Sequence, residues 1–149
     1  MKVAIGSDHR GIQQRQVIAA AIEKAGHQPL DCGTWETDSV DYPDIAATVA
    51  RKVVTGEVAR GVLLCGTGIG VSIAANKVPG IRAAVCWDLE SVQLSRQHND
   101  ANVLCLSGER FSELEYHALI AAWLATEFEG GRHAVRVDKI SRLESKCDN

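Results

Sequence analysis

The sequence predicts an α/β fold, a three-layer α/β/α sandwich around a five-stranded parallel, Rossmann-like sheet. Two observations carry this. Short apolar runs alternate five times with longer segments of helical character along 149 residues, the size of one domain with one core. The runs are continuous rather than alternating, as in parallel strands covered on both faces. Ligands of such sheets bind beyond the carboxyl ends of the strands. The polar residues expected on that rim are Ser7, Asp8 and His9 after strand one, Cys65 and Thr67 after strand three, Trp87 and Asp88 after strand four, and Ser107 and Gly108 after strand five.

Taken in order, residues 2–6 read as the first strand, 6–11 as a polar turn, and 12–25 as a helix with Val17, Ile18, Ala21 and Ile22 on one side and Gly26 as its stop. Residues 28–31 form a short second strand. A longer loop over 34–44 follows, and Pro43 opens a helix running to about residue 54. The central stretch, 61–77, has the grammar of a strand, a tight glycine loop and a helix start. Residues 81–87 read as a fourth strand, 88–97 as a helix, 103–106 as a fifth strand, and 112–128 as a long apolar helix broken by Gly130-Gly131. A more polar helix over 133–147 ends the pattern. The whole of 1–149 is expected to be a single domain.

Bulk properties narrow the function. The net charge of −3, with no lysine/arginine block, gives no support for nucleic-acid binding. No apolar run approaches the roughly 18 residues of a membrane span, and the start has no charged-then-apolar leader. The five cysteines are scattered, with no C-x-x-C, which argues against a disulfide framework or a zinc knuckle. A reducing cytoplasm is the expected home.

The glycine loop Gly66-Thr67-Gly68-Ile69-Gly70 is not a dinucleotide fingerprint, because its third glycine falls at 70 where that motif needs 71; no Gly-Lys-Ser/Thr closes it as a phosphate loop either. It remains able to turn several N–H groups into one small volume at a helix start. Cys65 sits at its mouth, where a thiolate is favoured, although a buried cysteine is also an ordinary core residue. Asp8-His9 at the end of strand one suits ligand contact. His98-Asn99 closes the polar stretch 95–102, which reads either as a solvated helix end or as a proton donor beside a hydroxyl reader. Arg132 and Arg136, four apart, share a helix face and form either a cationic clamp or ordinary surface charge. The Gly130-Gly131 turn is expected to carry both arginines back toward the carboxyl rim.

Six dispersed motifs, G-S-D-H-R-G at 6–11, D-Y-P-D at 41–44, C-G-T-G-I-G-V-S-I-A-A-N-K at 65–77, G-I-R-A at 80–83, S-R-Q-H-N-D-A-N-V-L at 95–104 and E-G-G-R-H at 129–133, together resemble the ribose-5-phosphate isomerase B family, which includes galactose- and allose-6-phosphate isomerases. The resemblance covers essentially the whole chain. It implies isomerisation of a phosphorylated aldose to a ketose through an enediolate, without metal or other cofactor. It also implies a homodimer or dimer of dimers with active sites built across the interface, for which the last helix would supply contacts. Residue by residue it implies Cys65 as the base, His98 as the group that assists ring opening, Thr67 with Gly66, Gly68, Ile69 and Gly70 as the oxyanion loop, Asp8, His9 and Asn99 as sugar or phosphate ligands, and Arg132 and Arg136 as the phosphate clamp. Two positions depart from the family pattern. Arg10 stands where a small or apolar residue is usual. Glu109 falls where an arginine is often found, and Arg110 follows it. A hexose 6-phosphate substrate therefore stands beside ribose 5-phosphate, and a non-catalytic sugar-phosphate-binding subunit stands as a rival of another class.

Overall fold

The computed structural model describes residues 1–34 and 40–144. The five apolar runs become β1 (Lys2–Ser7), β2 (Gln28–Asp31), β3 (Arg60–Cys65), β4 (Ala83–Val85) and β5 (Val103–Ser107). They form one sheet in the order β2-β1-β3-β5-β4, each neighbouring pair parallel. The connecting helices are α1 (Ile12–Lys24), α2 (Tyr42–Val54), α3 (Ile69–Ala75), α4 (Leu89–Gln97), α5 (Glu113–Ala125) and α6 (Arg132–Glu144).

The continuous apolar strands work as the two-residue period of a strand requires. Val3, Ile5, Val62, Leu64, Leu104 and Leu106 face α1, α4 and α5, packing with Ile18, Ile22, Val92, Tyr116, Ile120 and Trp123. Their alternates Ala4, Leu63, Cys65, Val103 and Cys105 face α2 and α3, against Ala46, Val49, Val71 and Ala75. Each large aliphatic side chain buried this way contributes on the order of 1.5–3 kcal/mol. This is the expected α/β/α sandwich. Among the described residues no helix is long and apolar enough to cross a membrane.

Several element ends differ from expectation, each for a reason outside the local pattern. The fourth strand is three residues rather than seven because side chains take N–H groups on its flanks: Arg82 N–H donates to Asn102 Oδ1 (2.8 Å) and Trp87 N–H to Ser91 Oγ (3.1 Å). The long helix stops at Ala125, well before Gly130, where Thr126 turns extended. Arg60 donates to the carbonyls of Trp123 and Leu124 and Arg96 to that of Thr126, so arginines from other elements cap its last turn. Gly130 and Gly131 then lie at positive φ (65° and 55°) and start α6 at Arg132. Positions 145–147 of the expected last helix, and 35–39 of the expected long loop, lie outside the described residues.

Candidate active site

The chain leaves β1 to one side of the sheet through β2 and returns to the other side of β1 as β3. That reversal opens a crevice at the carboxyl ends of β1 and β3, the place where parallel sheets bind ligands. Ser7 pairs in register with Leu64, which sets Asp8-His9 beside Cys65-Gly66. A cavity of about 640 Å³ lies there, lined by Asp8, His9, Arg10, Val40, Asp41, Tyr42, Cys65, Gly66, Thr67, Ile69, Gly70 and Ile73, within the size range of small-molecule sites.

The Asp8 wall is built from β1 outward. Asp8 caps a short 3-10 turn over His9–Gly11, its carboxylate accepting the Arg10 N–H at 3.0 Å. Ser7 is fully buried; its hydroxyl donates to the Asp8 carbonyl and accepts from Arg15 Nη1, both at 2.8 Å. Arg15, 1% exposed, also pairs with Asp31 (3.1 Å) and donates to the Thr34 carbonyl. A buried guanidinium satisfied on several sides ties the ends of β1 and β2 together and fixes where Asp8 and His9 stand. His9 Nδ1 is buried with no hydrogen-bond partner among the described residues. Leaving such a group unmade costs about 1–3 kcal/mol, which a ligand in the cavity would recover.

The Cys65 wall is the glycine loop. Gly68 sits at φ 82°, and a Cβ there would lie 2.9 Å from the Leu106 carbonyl carbon, so both conformation and space demand glycine. A Cβ at Gly70 would lie 2.7 Å from the Tyr42 ring, which packs on the loop. The turn after β5 braces it from behind: Ser107 Oγ donates to the Gly66 carbonyl (2.6 Å), Gly108 N–H to the Cys65 carbonyl (2.8 Å), and Tyr116 O–H to the Ser107 carbonyl (2.6 Å). Burial pushes the Tyr116 phenol up to about 12, so it remains a donor.

Among the described cysteines Cys65 differs in having a backbone N–H directed at its sulfur. Cys32 and Cys86 donate to carbonyls of their own strands or strand ends, and burial pushes the thiols of Cys32, Cys86 and Cys105 up, which keeps them protonated. Cys65 Sγ accepts the Gly68 N–H at 3.2 Å. This sulfur is 7% exposed at the cavity mouth, with the loop N–H directed at it. Thr67 Oγ1 accepts the Ile69 N–H at 3.2 Å, which leaves its own proton for a ligand oxygen.

The other expected site residues form a second cluster, away from the first. His98, the C-cap of α4, precedes β5 and so lies by its amino end, whereas Cys65 pairs with Ser107 at the carboxyl end. Five residues of strand separate these ends by about 13 Å. Asn99 follows His98, and Glu129 N–H donates to the Gln97 carbonyl, which anchors the start of α6 beside them. Arg132 and Arg136 are exposed there, and His133 stacks on His98. The expectation that the Gly130-Gly131 turn returns the arginines to the carboxyl rim is therefore corrected: the capped end of α5 delivers them to the opposite rim. His98, Glu129 and His133 bring possible ligand atoms within 4.8 Å of one another. The two rings are nearly parallel (8°), however, and in-plane lone pairs of parallel rings do not meet at one ion, so this is not a preformed metal centre.

Sequence reasoning gave no individual role to Arg15, Tyr42 or His133, although the last two stand inside the motifs at 41–44 and 129–133. Arg15 had a signal, since it continues the apolar stripe of Ile18 and Ile22 at i, i+3, i+7 and is buried with them. His133 had a similar one in its i, i+4 partner Val137, the other buried residue of α6. The packing of Tyr42 on Gly70 joins separate elements and leaves no local mark.

A parallel sheet with a thiol, an N–H loop and a cavity at its switch point defines a small-molecule enzyme of Rossmann-like build. The chain belongs to the ribose/galactose isomerase family, whose model matches residues 3–140, and it is an isomerase. It is 49% identical to ribose-5-phosphate isomerase B of Escherichia coli over 146 residues, 97% of each chain. The structure of Clostridium thermocellum ribose-5-phosphate isomerase B superposes with a TM-score of 0.95 at 49% identity, covering 99% of this chain and 100% of that one. The Mycoplasma genitalium enzyme, solved with bound ribulose 5-phosphate, gives 0.91 at 40% identity over 97% and 96%.

Proposed function

We propose that the chain interconverts ribose 5-phosphate and ribulose 5-phosphate, with Cys65 as the base, in a site that two copies of the chain complete together. The observation that carries this is the sulfur of Cys65 accepting a loop N–H inside the cavity.

The aldose arrives as a closed ring. In opening it, the anomeric hydroxyl loses its proton to solvent, the C1–ring-oxygen bond breaks as the C1 carbonyl forms, and the ring oxygen takes a proton from His98. The Cys65 thiolate then removes the C2 proton, and the electron pair moves onto the carbonyl oxygen to give an enediolate. Thr67 and the N–H groups from Gly66 to Gly70 stabilise that charge; one well-aimed donor of this kind is worth about 3 kcal/mol. Proton transfer between the two oxygens and return of the Cys65 proton to C1 yield the ketose. Asp8, His9 and Asn99 hold hydroxyl or phosphate oxygens, and Arg132 and Arg136 grip the phosphate, whose remote binding energy positions the reacting carbons.

Cys65 and His98 stand at opposite ends of one chain's sheet, too far apart to serve one sugar. A two-fold pair answers this, because it places each copy's amino-end cluster over the other's cavity and makes two equal sites. Exposed apolar side chains support a docking partner at both places: Ile69, Ile73 and Tyr42 around the cavity, and Val135, Ile140 and Leu143 on α6. The test of substrate is a coupled assay of the purified chain on ribose 5-phosphate, allose 6-phosphate and galactose 6-phosphate. Ribose 5-phosphate is expected to give the highest kcat/KM. Preference for a hexose would move the substrate assignment to the larger sugar, consistent with Arg10 and Glu109 near Gly66. Turnover of none would remove the catalytic reading.

A further inference from the structure

His133 has no role in the mechanism above, yet it is the buried residue of the amino-end cluster. It is 6% exposed, between the exposed Arg132 and the half-buried Ala134. Its ring lies face to face with His98, centroids 4.2 Å apart and planes 8° apart. Its Nε2 accepts from Arg132 Nε at 3.5 Å, and Glu129 Oε2 lies at the same distance. An arginine N–H directed at the ring disfavours a second proton on it, so the ring rests neutral. The surroundings agree. Burial holds the pKa of His133 below the usual histidine value, and of the charged or titratable groups around it, His98 from α4 and Arg132 and Arg136 from α6 oppose a proton, while Glu129 favours one.

We infer that His133 is a positioning residue for ring opening: its neutral ring face holds the plane of His98 and lets that histidine carry the proton. The inference rests on the role of His98 given above. His98 caps a helix end and is half-exposed, and the terminal torsion of a histidine is intrinsically broad. Alone, such a ring sweeps a wide arc. The parallel face of His133 removes that freedom, and because His133 is neutral it adds no second positive charge when His98 is protonated.

The experiment separates ring opening from enolisation. Ribulose 5-phosphate has no furanose form, because its 5-hydroxyl is esterified, so exchange of its C1 hydrogen with deuterated solvent needs Cys65 chemistry but not ring opening. Conversion of ribose 5-phosphate needs both. The full chain is compared with His133→Ala and His133→Phe; His133→Leu replaces the alanine variant should the buried volume be needed for folding. Removing the ring is expected to lower kcat/KM for ribose 5-phosphate about 10-fold or more, part of the 10²–10⁴-fold that acid–base catalysis supplies. Deuterium exchange into ribulose 5-phosphate is expected to stay within about threefold, and phenylalanine, which keeps a flat face, to recover most of the conversion. Equal losses in both assays, no loss in either, or a phenylalanine variant as poor as alanine overturns the inference. The wild-type chain and His98→Ala are run first. No turnover by the former overturns the substrate reading, and unchanged conversion by the latter overturns the role of His98, so each failure is recognised separately.

Discussion

Cys65→Ala and Cys65→Ser are expected to lose isomerisation by at least about 100-fold while keeping the fold, since removing a general base costs roughly 10²–10⁴-fold. Serine occupies nearly the same volume and still offers an oxygen to the Gly68 N–H that the sulfur accepts at 3.2 Å, so the loop keeps its partner and only the base is lost. The measurement is kcat on ribose 5-phosphate beside a thermal melt. A serine variant that keeps more than about a tenth of wild-type turnover would remove Cys65 as the base. Cys86 and Cys105 serve as controls: both are buried and held protonated by that burial, and small apolar replacements there are expected to alter stability rather than chemistry.

Arg136→Ala is expected to lower kcat/KM about 10- to 150-fold, the equivalent of the 1.5–3 kcal/mol of a charge-assisted hydrogen bond, and to weaken competition by inorganic phosphate. Arg132→Ala should do the same and in addition disturb His133, whose Nε2 it contacts; the Arg136 variant is thus the cleaner reading of phosphate binding. Lysine should rescue only in part, because it lacks the planar two-pronged fork. Both arginines are exposed in the single chain. If they were plain surface charge, the substitutions would change kcat/KM by less than about twofold and leave phosphate inhibition as it was, in keeping with the small energies of exposed ion pairs.

The carboxyl rim was legible in the sequence because its residues follow strands directly. Once 2–6 and 61–65 are read as parallel strands, Asp8, His9, Cys65 and Thr67 must leave the same edge of the sheet, and the observed register of Ser7 with Leu64 turns that into adjacency. Gly68 was legible for a related reason: so tight a strand-to-helix turn demands a backbone that passes through positive φ. The amino-end cluster was misplaced because its position depends on long-range capping. Arg60 reaches the last carbonyls of α5 from 63 and 64 residues away, and Arg96 reaches Thr126 across 30. No local pattern encodes those contacts, so the helix was read through to residue 128 and its following turn sent to the wrong rim. Arg15 was missed for the opposite reason. Its signal was local, a charge on an apolar stripe, but compositional reading treats arginine as surface.

The separation of Cys65 from His98 makes the two-copy site the claim on which the mechanism depends, and mixing two inactive variants tests it most directly. A Cys65→Ser chain and a His98→Ala chain, each inactive on ribose 5-phosphate alone, are mixed, unfolded and refolded together so that their copies redistribute. A mixed pair then holds one site that lacks both groups and one that has both. With random pairing half of the pairs are mixed and each carries one intact site of two, so the mixture is expected to regain about a quarter of wild-type activity. No recovery above the separate variants, with mixed pairs shown to be present by mass, would place Cys65 and His98 in the same chain's site and contradict the shared active site.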